Sequence, residues 1–174
     1  VDAQTKQVFL SSETADNITA FCREHAVTEF QFFLTCASLV IQRYVGSRDI
    51  VLNIPVTNRT DQFQSSNGIF INNVLFRPPK ASFNTFLECL EKIKQEWFKV
   101  QAHSMYPLDE VSSLIQKIHN KSISSLCGIM FNYVLQEKPT ANISVHARHA
   151  KMPFSVDVIH DKTSNAIEVR ADWA

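Results

Sequence analysis

With 174 residues, 45% of them hydrophobic and 20% charged, the chain is long enough to bury roughly 70% of its unfolded surface in one core. Seventeen Lys and Arg balance seventeen Asp and Glu, and a zero net charge argues against nucleic acid or an anionic membrane as the main partner, because both are held by clustered cations. No apolar run approaches the roughly 20 residues of a membrane helix, and VDAQTKQVF lacks the charged start and apolar core of a secretory signal, so a cytoplasmic chain is expected.

Val8-Phe9-Leu10 predicts a short edge strand, after which Ser11 or Ser12 caps a helix with Ala15, Ile18, Phe21 and Cys22 on its apolar side and His25-Ala26 at its end. Thr28 caps a second helix, where Phe30, Phe33, Leu34, Ala37, Val40, Ile41 and Tyr44 recur at helical spacing until Gly46. Phe32 and Leu39 widen that stripe, so this helix is expected to meet a sheet on one side and something else on the other. Ile50 to Val56 reads as a strand covered on both faces; Ile69 to Phe76 reads as a strand whose central Asn72 and Asn73 face something wet or functional. The polar stretch 60–67 suits a surface loop, and Gly68 lets the backbone turn into the next strand.

Ser82 is expected to cap a long helix running to about His103, with Phe83, Phe86, Leu87, Leu90, Ile93, Trp97 and Val100 on its inner side. Pro107 suits the first turn of a further helix, Asp109 and Glu110 complement its positive end, and Val111, Leu114, Ile115 and Ile118 form its buried side. The remainder is β-like: Leu126 to Leu135, Phe154 to Ile159 and Ile167 to Trp173, the last two joined as a hairpin by the turn residues Lys162 to Asn165. Glu137 to Lys151 reads as a loop with a possible short strand. Strands alternating with helices, then a meander, give an α/β sandwich: a mixed β-sheet with helices packed over it.

Cys22, Cys36, Cys89 and Cys127 are widely spaced in apolar segments and lack the spacing of a zinc site, which favours buried reduced thiols. His146 and His149 could share a metal only on a helix, and their surroundings read as loop or strand; a solvated pair is the better reading, and no metal is assigned. His25, His119 and His160 stand isolated, and Asp157 and Asp161 have no evident partner. No nucleophile elbow or Ser-His-Asp arrangement is present. The chain has no initiator Met and its last residues, Ala166 to Ala174, stop in mid-pattern, which suggests a piece of a longer polypeptide.

Four stretches carry a resemblance that extends over essentially the whole chain. Gln42 to Gly46 followed by Asp49 to Arg59, Asn67 to Arg77, His103 to Val111 and His119 to Gln136 resemble, in order and spacing, strings such as SRYSG with DIVVGTPVANR, IGFFVNTLVLR, HQDVPFEKLV and RDLSHSPLFQVMFVLQN of nonribosomal peptide synthetase condensation domains. In the third, His103 and Pro107 are kept, Asp109 is an acidic substitute, and the leading Arg-Asp of the fourth has become His119-Asn120. The resemblance implies the C-terminal, acceptor-side lobe of a two-lobed, chloramphenicol-acetyltransferase-like fold, spanning 1–174 with the donor-side lobe absent. Such domains join an acyl or peptidyl thioester to an aminoacyl thioester, both carried on phosphopantetheine arms of carrier proteins.

The family's HHxxxDG motif lies in the donor-side lobe, and this sequence contains no two adjacent histidines. No catalytic residue is therefore assigned, and the isolated chain is expected to be inactive. The resemblance implies that Arg59, beside Asn58, pairs with the Asp of that motif, that Asn72, Asn73 and Gly68 line a substrate channel, and that His103, Pro107 and Asp109 are a structural motif. Against these stand blander roles: a strand-end contact for Arg59, alternate outward positions for Asn72 and Asn73, and a helix-end position for His103. Phosphopantetheine would arrive on carrier proteins, with no cofactor bound directly; the partners implied are the donor-side lobe and peptidyl or acyl carrier proteins. A non-catalytic carrier-binding module remains the alternative, as does an epimerisation-type relative, to which Phe131-Asn132-Tyr133 is similar. A free-standing acyltransferase would need its own HHxxxDG-like motif.

Overall fold

The structure is a computed structural model describing residues 4–59, 61–63, 66–80, 82–120, 122–123, 128–137 and 152–174. In chain order its elements are β1 (Gln4–Leu10), α1 (Ser12–Glu24), α2 (Glu29–Val45), β2 (Leu52–Thr57), a short 3-10 turn (Asp61–Phe63), β3 (Ile71–Phe76), α3 (Phe86–Gln101), α4 (Leu108–His119), β4 (Ile129–Gln136), β5 (Phe154–Asp161) and β6 (Ala166–Trp173). The six strands form one mixed sheet in the order β1-β6-β5-β4-β2-β3. β4 runs parallel to β5 and β2, and the other pairs are antiparallel. The α/β class and the mixed sheet are as the sequence predicts.

Helix ends follow local chemistry. Ser11 caps α1, and Thr28 caps α2 in a reciprocal capping box with Gln31, which satisfies two backbone donors at once. Gly46 ends α2 with φ of 67°, a left-handed conformation that costs glycine little. Two expectations shift. The cap of α3 is Thr85, three residues beyond Ser82, and Pro107 caps α4 from outside, before its first turn. Asp109 and Glu110 occupy that first turn, as expected for the positive end of a helix.

The core lies between one face of the sheet and the helices. Leu34, Phe33 and Ile41 of α2 and Ile93 and Trp97 of α3 cluster with Leu52, Ile54, Phe76, Phe131, Val158 and Ile167 of the sheet. Trp97 joins the layers, its ring 4.6 Å from Phe30 and 5.9 Å from Phe76. α2 meets the sheet through Phe33 and Leu34 and meets α1 and α3 through Phe32, as predicted, but its Leu39, Val40 and Tyr44 are exposed, so that part of the expected cover is lacking among the described residues. α4 buries none of its residues fully, and Leu114 and Ile118 of its predicted inner side are exposed. No helix among the described residues is long and apolar enough to cross a membrane.

The sheet forks. β2 pairs with β4 only at Leu52–Ile129 and Asn53–Met130, whereas β2 stays paired with β3 to Thr57 and β4 with β5 to Gln136. Pro55 follows at the divergence, where a residue without a backbone N–H leaves no donor unpaired. β2 is thus covered on its Leu52–Ile54 face by helices, while Asn53 leaves the sheet on the opposite side.

Candidate functional site

The carboxyl end of β2 delivers Asn58 and Arg59 to a small polar assembly. Asn58 extends the β2–β3 pairing through its N–H to the Phe70 carbonyl at 2.8 Å, and its side-chain Nδ2 donates to the Ser104 carbonyl at 2.9 Å. Asn72 Nδ2 donates to the same Ser104 carbonyl and to that of Tyr106, each at 2.8 Å, and its Oδ1 accepts from Leu108 N–H at 3.4 Å. The two asparagines therefore clamp the link between α3 and α4. Their amides suit this because each both donates and accepts.

Arg59 organises the loop that follows. Its Nη1 donates to the carbonyls of Phe63 at 2.7 Å and Ser66 at 2.6 Å, its Nη2 reaches Gly68 O at 3.4 Å, and its guanidinium lies 4.2 Å from the centre of the Phe70 ring. Phe63 stacks on Phe70 with ring centres 5.9 Å apart. Gly68 has no left-handed backbone; the positive-φ glycine among the described residues is Gly46. What glycine supplies at position 68 is space, because a Cβ there would meet the Phe70 ring at 3.2 Å. The backbone does bend at Gly68 on its way into β3, as the sequence predicts, without a left-handed conformation.

Asn73 alternates with Asn72 and points the other way. It borders a cleft of about 560 Å³ between β3, α3 and α4, whose wall includes Arg77, Lys99, His103, Tyr106 and Leu108. His103 lies in the turn after α3, with its N–H on the Val100 carbonyl, so it stands at the negative helix end as predicted from its position. The structure thus brings Asn58, Arg59, Gly68, Asn72, Asn73, His103 and Pro107 near one end of the β2–β3 hairpin, with Asn72 and Asn73 on opposite faces and Asp109 in the first turn of the adjoining helix.

A second polar cluster escaped the sequence. Glu29 Oε2 accepts from Tyr133 Oη at 2.7 Å and lies 2.6 Å from His160 Nδ1; Oε1 accepts from Thr19 at 3.0 Å and Lys162 at 3.2 Å. Burial would raise the Glu29 carboxyl, but hydrogen bonds from Tyr133, His160, Thr19 and Lys162 outweigh it and bring the group down to about 2. Tyr133 moves up, first through burial and then through its bond to Glu29. His160 is fully buried. It is therefore not isolated, and Asp157, which receives Asn132 Nδ2 at 3.0 Å and lies 3.7 Å from Arg170, has partners too. Asp161 caps the β5–β6 turn through Thr163 N–H at 2.8 Å and Ser164 Oγ at 2.7 Å. A sequence separation of 131 residues hides the first pairing from any local pattern. The polar residues at alternate positions of β4, β5 and β6 are a period-two signal of a second face that the sequence does carry.

Burial pushes the thiols of Cys22, Cys36 and Cys89 up to about 11, so they behave as inert core groups. Cys127, His146 and His149 lie outside the described residues.

The architecture is that of condensation domains. The chain superposes over its whole length on the first condensation domain of the CDA synthetase, with a TM-score of 0.75 at 12% identity, and over 98% of its length on the condensation domain of the Monacolin K polyketide synthase MokA, with a TM-score of 0.78 at 18% identity. It covers 40% and 41% of those two chains. The family model described as "Condensation domain" matches residues 1–174, and the chain belongs to that family. It is similar to the nonribosomal peptide synthetase opaA of Aspergillus ustus, 31% identical over 90% of this chain, and to surfactin synthase subunit 2 of Bacillus subtilis, 27% identical over 77%. The chain spans 4% of the length of each of those two relatives.

Proposed function

We propose that this chain is the acceptor-side, C-terminal lobe of a condensation domain in a nonribosomal peptide synthetase, acting in a cytoplasmic assembly. The reaction joins an acyl or peptidyl thioester on one carrier protein to the amino group of an aminoacyl thioester on another. The amine nitrogen attacks the thioester carbonyl, a C–N bond forms, the C–S bond breaks, the amine gives up a proton and the donor arm leaves as a thiol. Phosphopantetheine arrives as part of each carrier and is not held as a resident cofactor.

One observation carries this reading: the family match runs through all of residues 1–174, yet the sequence has no pair of adjacent histidines to take the proton. The base then belongs to a donor-side lobe outside this chain. Arg59, already anchored by three carbonyls of its own loop, presents a charge that stays on at neutral pH and suits a carboxylate across a lobe interface. Asn73 and the cleft beside it supply a wall for an acceptor arm, whereas the Asn72 amide is occupied by the α3–α4 link.

The test combines this chain with a separately made donor-side lobe and two loaded carrier proteins and reads the products by intact-protein mass spectrometry. A peptidyl thioester on the acceptor carrier, formed only when both lobes are present, is expected. Carrier binding with no product in the reconstituted mixture would replace this reading with that of a non-catalytic docking lobe, which the altered His103 to Asp109 and His119-Asn120 motifs favour.

A further inference from the structure

The link between β3 and α3 carries a serine that the fold does not use as a cap. Thr85 caps α3, so Ser82 stands outside the helix, exposed and in neither helix nor strand. Its Oγ accepts a hydrogen bond from Nη1 of Arg48, on the link between α2 and β2. The two links are pinned side by side: Gln42 Nε2 donates to the Arg48 carbonyl at 2.9 Å and to the Pro79 carbonyl at 3.4 Å, and Pro78 is buried. This corner lies at the end of the β2–β3 hairpin opposite to Asn58 and Arg59.

Charge around the corner does not balance. Arg77 grips Asp49 with Nε on Oδ1 at 2.7 Å and Nη2 on Oδ2 at 2.8 Å, and Lys80 Nζ reaches Oδ2 at 2.6 Å. These donors, Arg77 first and Lys80 second, hold the Asp49 carboxyl well below the usual carboxylate range, so it is ionised and fully engaged at neutral pH. Arg48 meets no carboxylate among the described residues, and its side chain rests on the Ser82 hydroxyl. Three cations thus face one anion, which leaves two positive charges beside an exposed hydroxyl. A phosphate monoester carries about −1.5 to −2 charge at pH 7 and three acceptor oxygens, a match for that surplus and for the guanidinium fork. Placed on Ser82 Oγ, its outer oxygens lie one bond beyond the atom that Arg48 already contacts. The sequence around the hydroxyl, Arg77-Pro78-Pro79-Lys80 before it and Phe83 after it, presents cations on the side from which a basic-directed kinase reads its substrate.

We propose that Ser82 is a phosphorylation site, modified by a serine kinase at the expense of a nucleoside triphosphate, and that Arg48 receives the phosphoryl group. The Ser82 oxygen attacks the γ-phosphorus, an O–P bond forms as the bond to the departing nucleoside diphosphate breaks, and the hydroxyl proton passes to the base of the kinase. The modified residue then ties the β3–α3 link to the α2–β2 link by an ion pair where a neutral hydrogen bond stood. The site goes beyond the amide-forming reading and stands independently of it, since it needs neither the donor-side lobe nor a carrier.

Two measurements on the full 174-residue chain test this. First, the folded chain, its Ser82→Ala variant and a synthetic 77–87 peptide are incubated with a basic-directed serine kinase domain and Mg-ATP, and phosphopeptides are mapped by mass spectrometry. Label on Ser82 of the folded chain, absent from Ser82→Ala and slowed several-fold by Lys80→Ala, is expected. Second, the chain made with phosphoserine at position 82 is titrated by phosphorus NMR. Its phosphate should titrate about half a pH unit below the same phosphoserine in the peptide, which has Arg77 and Lys80 but lacks Arg48. Arg48→Gln, or about 1 M salt, should return it to the peptide value. Absence of label on Ser82 of the folded chain, whatever the peptide does, would overturn the proposal, and so would a phosphate titration that Arg48→Gln leaves unchanged.

Discussion

Glu29, the first residue of α2, lies 2.6 Å from Nδ1 of the fully buried His160 in β5, 131 positions later in the chain. Tyr133 of β4 and Lys162 of the β5–β6 turn share the same carboxylate, so one side chain ties the N-terminus of a helix to two parallel strands and a hairpin. Helix-dipole attraction adds to the bonds, because the carboxylate stands at the positive end of α2. Glu29→Gln keeps the shape and removes the charge. It should cost about 1.5–3 kcal/mol, the scale of weakened hydrogen bonds to a charged group, measured by urea denaturation at neutral pH.

The same carboxylate sets an acid-sensitive window. Its folded-state value of about 2 lies below the ordinary 4.5, so its contribution is present in full above pH 4.5 and is lost as pH falls toward 2. Wild-type stability should therefore decline between those values more steeply than that of Glu29→Gln. Parallel slopes for the two proteins in denaturation across pH 2 to 5 would show that Glu29 is not the titrating group.

The α3–α4 link should loosen when its clamps are cut. Asn72→Ala removes two donors and one acceptor from backbone groups that have been positioned to meet them, and Asn58→Ala removes one donor from the shared Ser104 carbonyl. About 1–2 kcal/mol is expected for Asn72 and about 1 kcal/mol for Asn58. The double variant should fall short of the sum, because both side chains serve one carbonyl. Hydrogen exchange at Tyr106 and Leu108 amides, compared with amides of α2, separates local loosening from global loss.

These residues also mark how far the sequence could be read. Helix spacing, the Thr28 cap, the Gly46 stop and the hairpin at Lys162 to Asn165 are short-range properties, and each appears where local chemistry places it. The edge of the reading is long-range. Nothing near Asn72 announces Ser104 as its partner, and nothing near Glu29 announces His160. The run from Ile50 to Val56 is buried on both faces at Leu52, Asn53 and Ile54, as its β-branched composition predicts, although the second face carries the polar Asn53. The amphipathic pattern of α4 predicts the helix that forms, yet pattern alone does not say whether a face finds a partner, and Leu114 and Ile118 are exposed.

Gly46 offers a backbone test that needs no knowledge of function. Its φ is 67° and a Cβ would meet nothing within 4 Å, so any cost of Gly46→Ala comes from conformation alone. About 1 kcal/mol of destabilisation is expected, seen as a lower urea midpoint with an unchanged slope. Gly46→Asn should recover part of it, since Asn tolerates the left-handed region better.

Arg59 allows the lobe-internal and lobe-bridging roles to be told apart. Its bonds to Phe63, Ser66 and Gly68 carbonyls and its contact with Phe70 predict that Arg59→Ala disorders the loop even in the isolated chain. Arg59→Lys keeps a charge but cannot span the carbonyls with a planar fork, so loop order should fall while long-range attraction to a carboxylate persists. Fluorescence of a probe placed at the exposed Ile69 reads loop order, and titration with a donor-side lobe reads association. A loop-only role predicts that both substitutions weaken association in proportion to disorder. A bridging role predicts that Arg59→Lys retains part of the association that Arg59→Ala loses, and that added salt erases this difference, because a charge reaching across a solvated interface is screened within about 10 Å at 0.1 M salt.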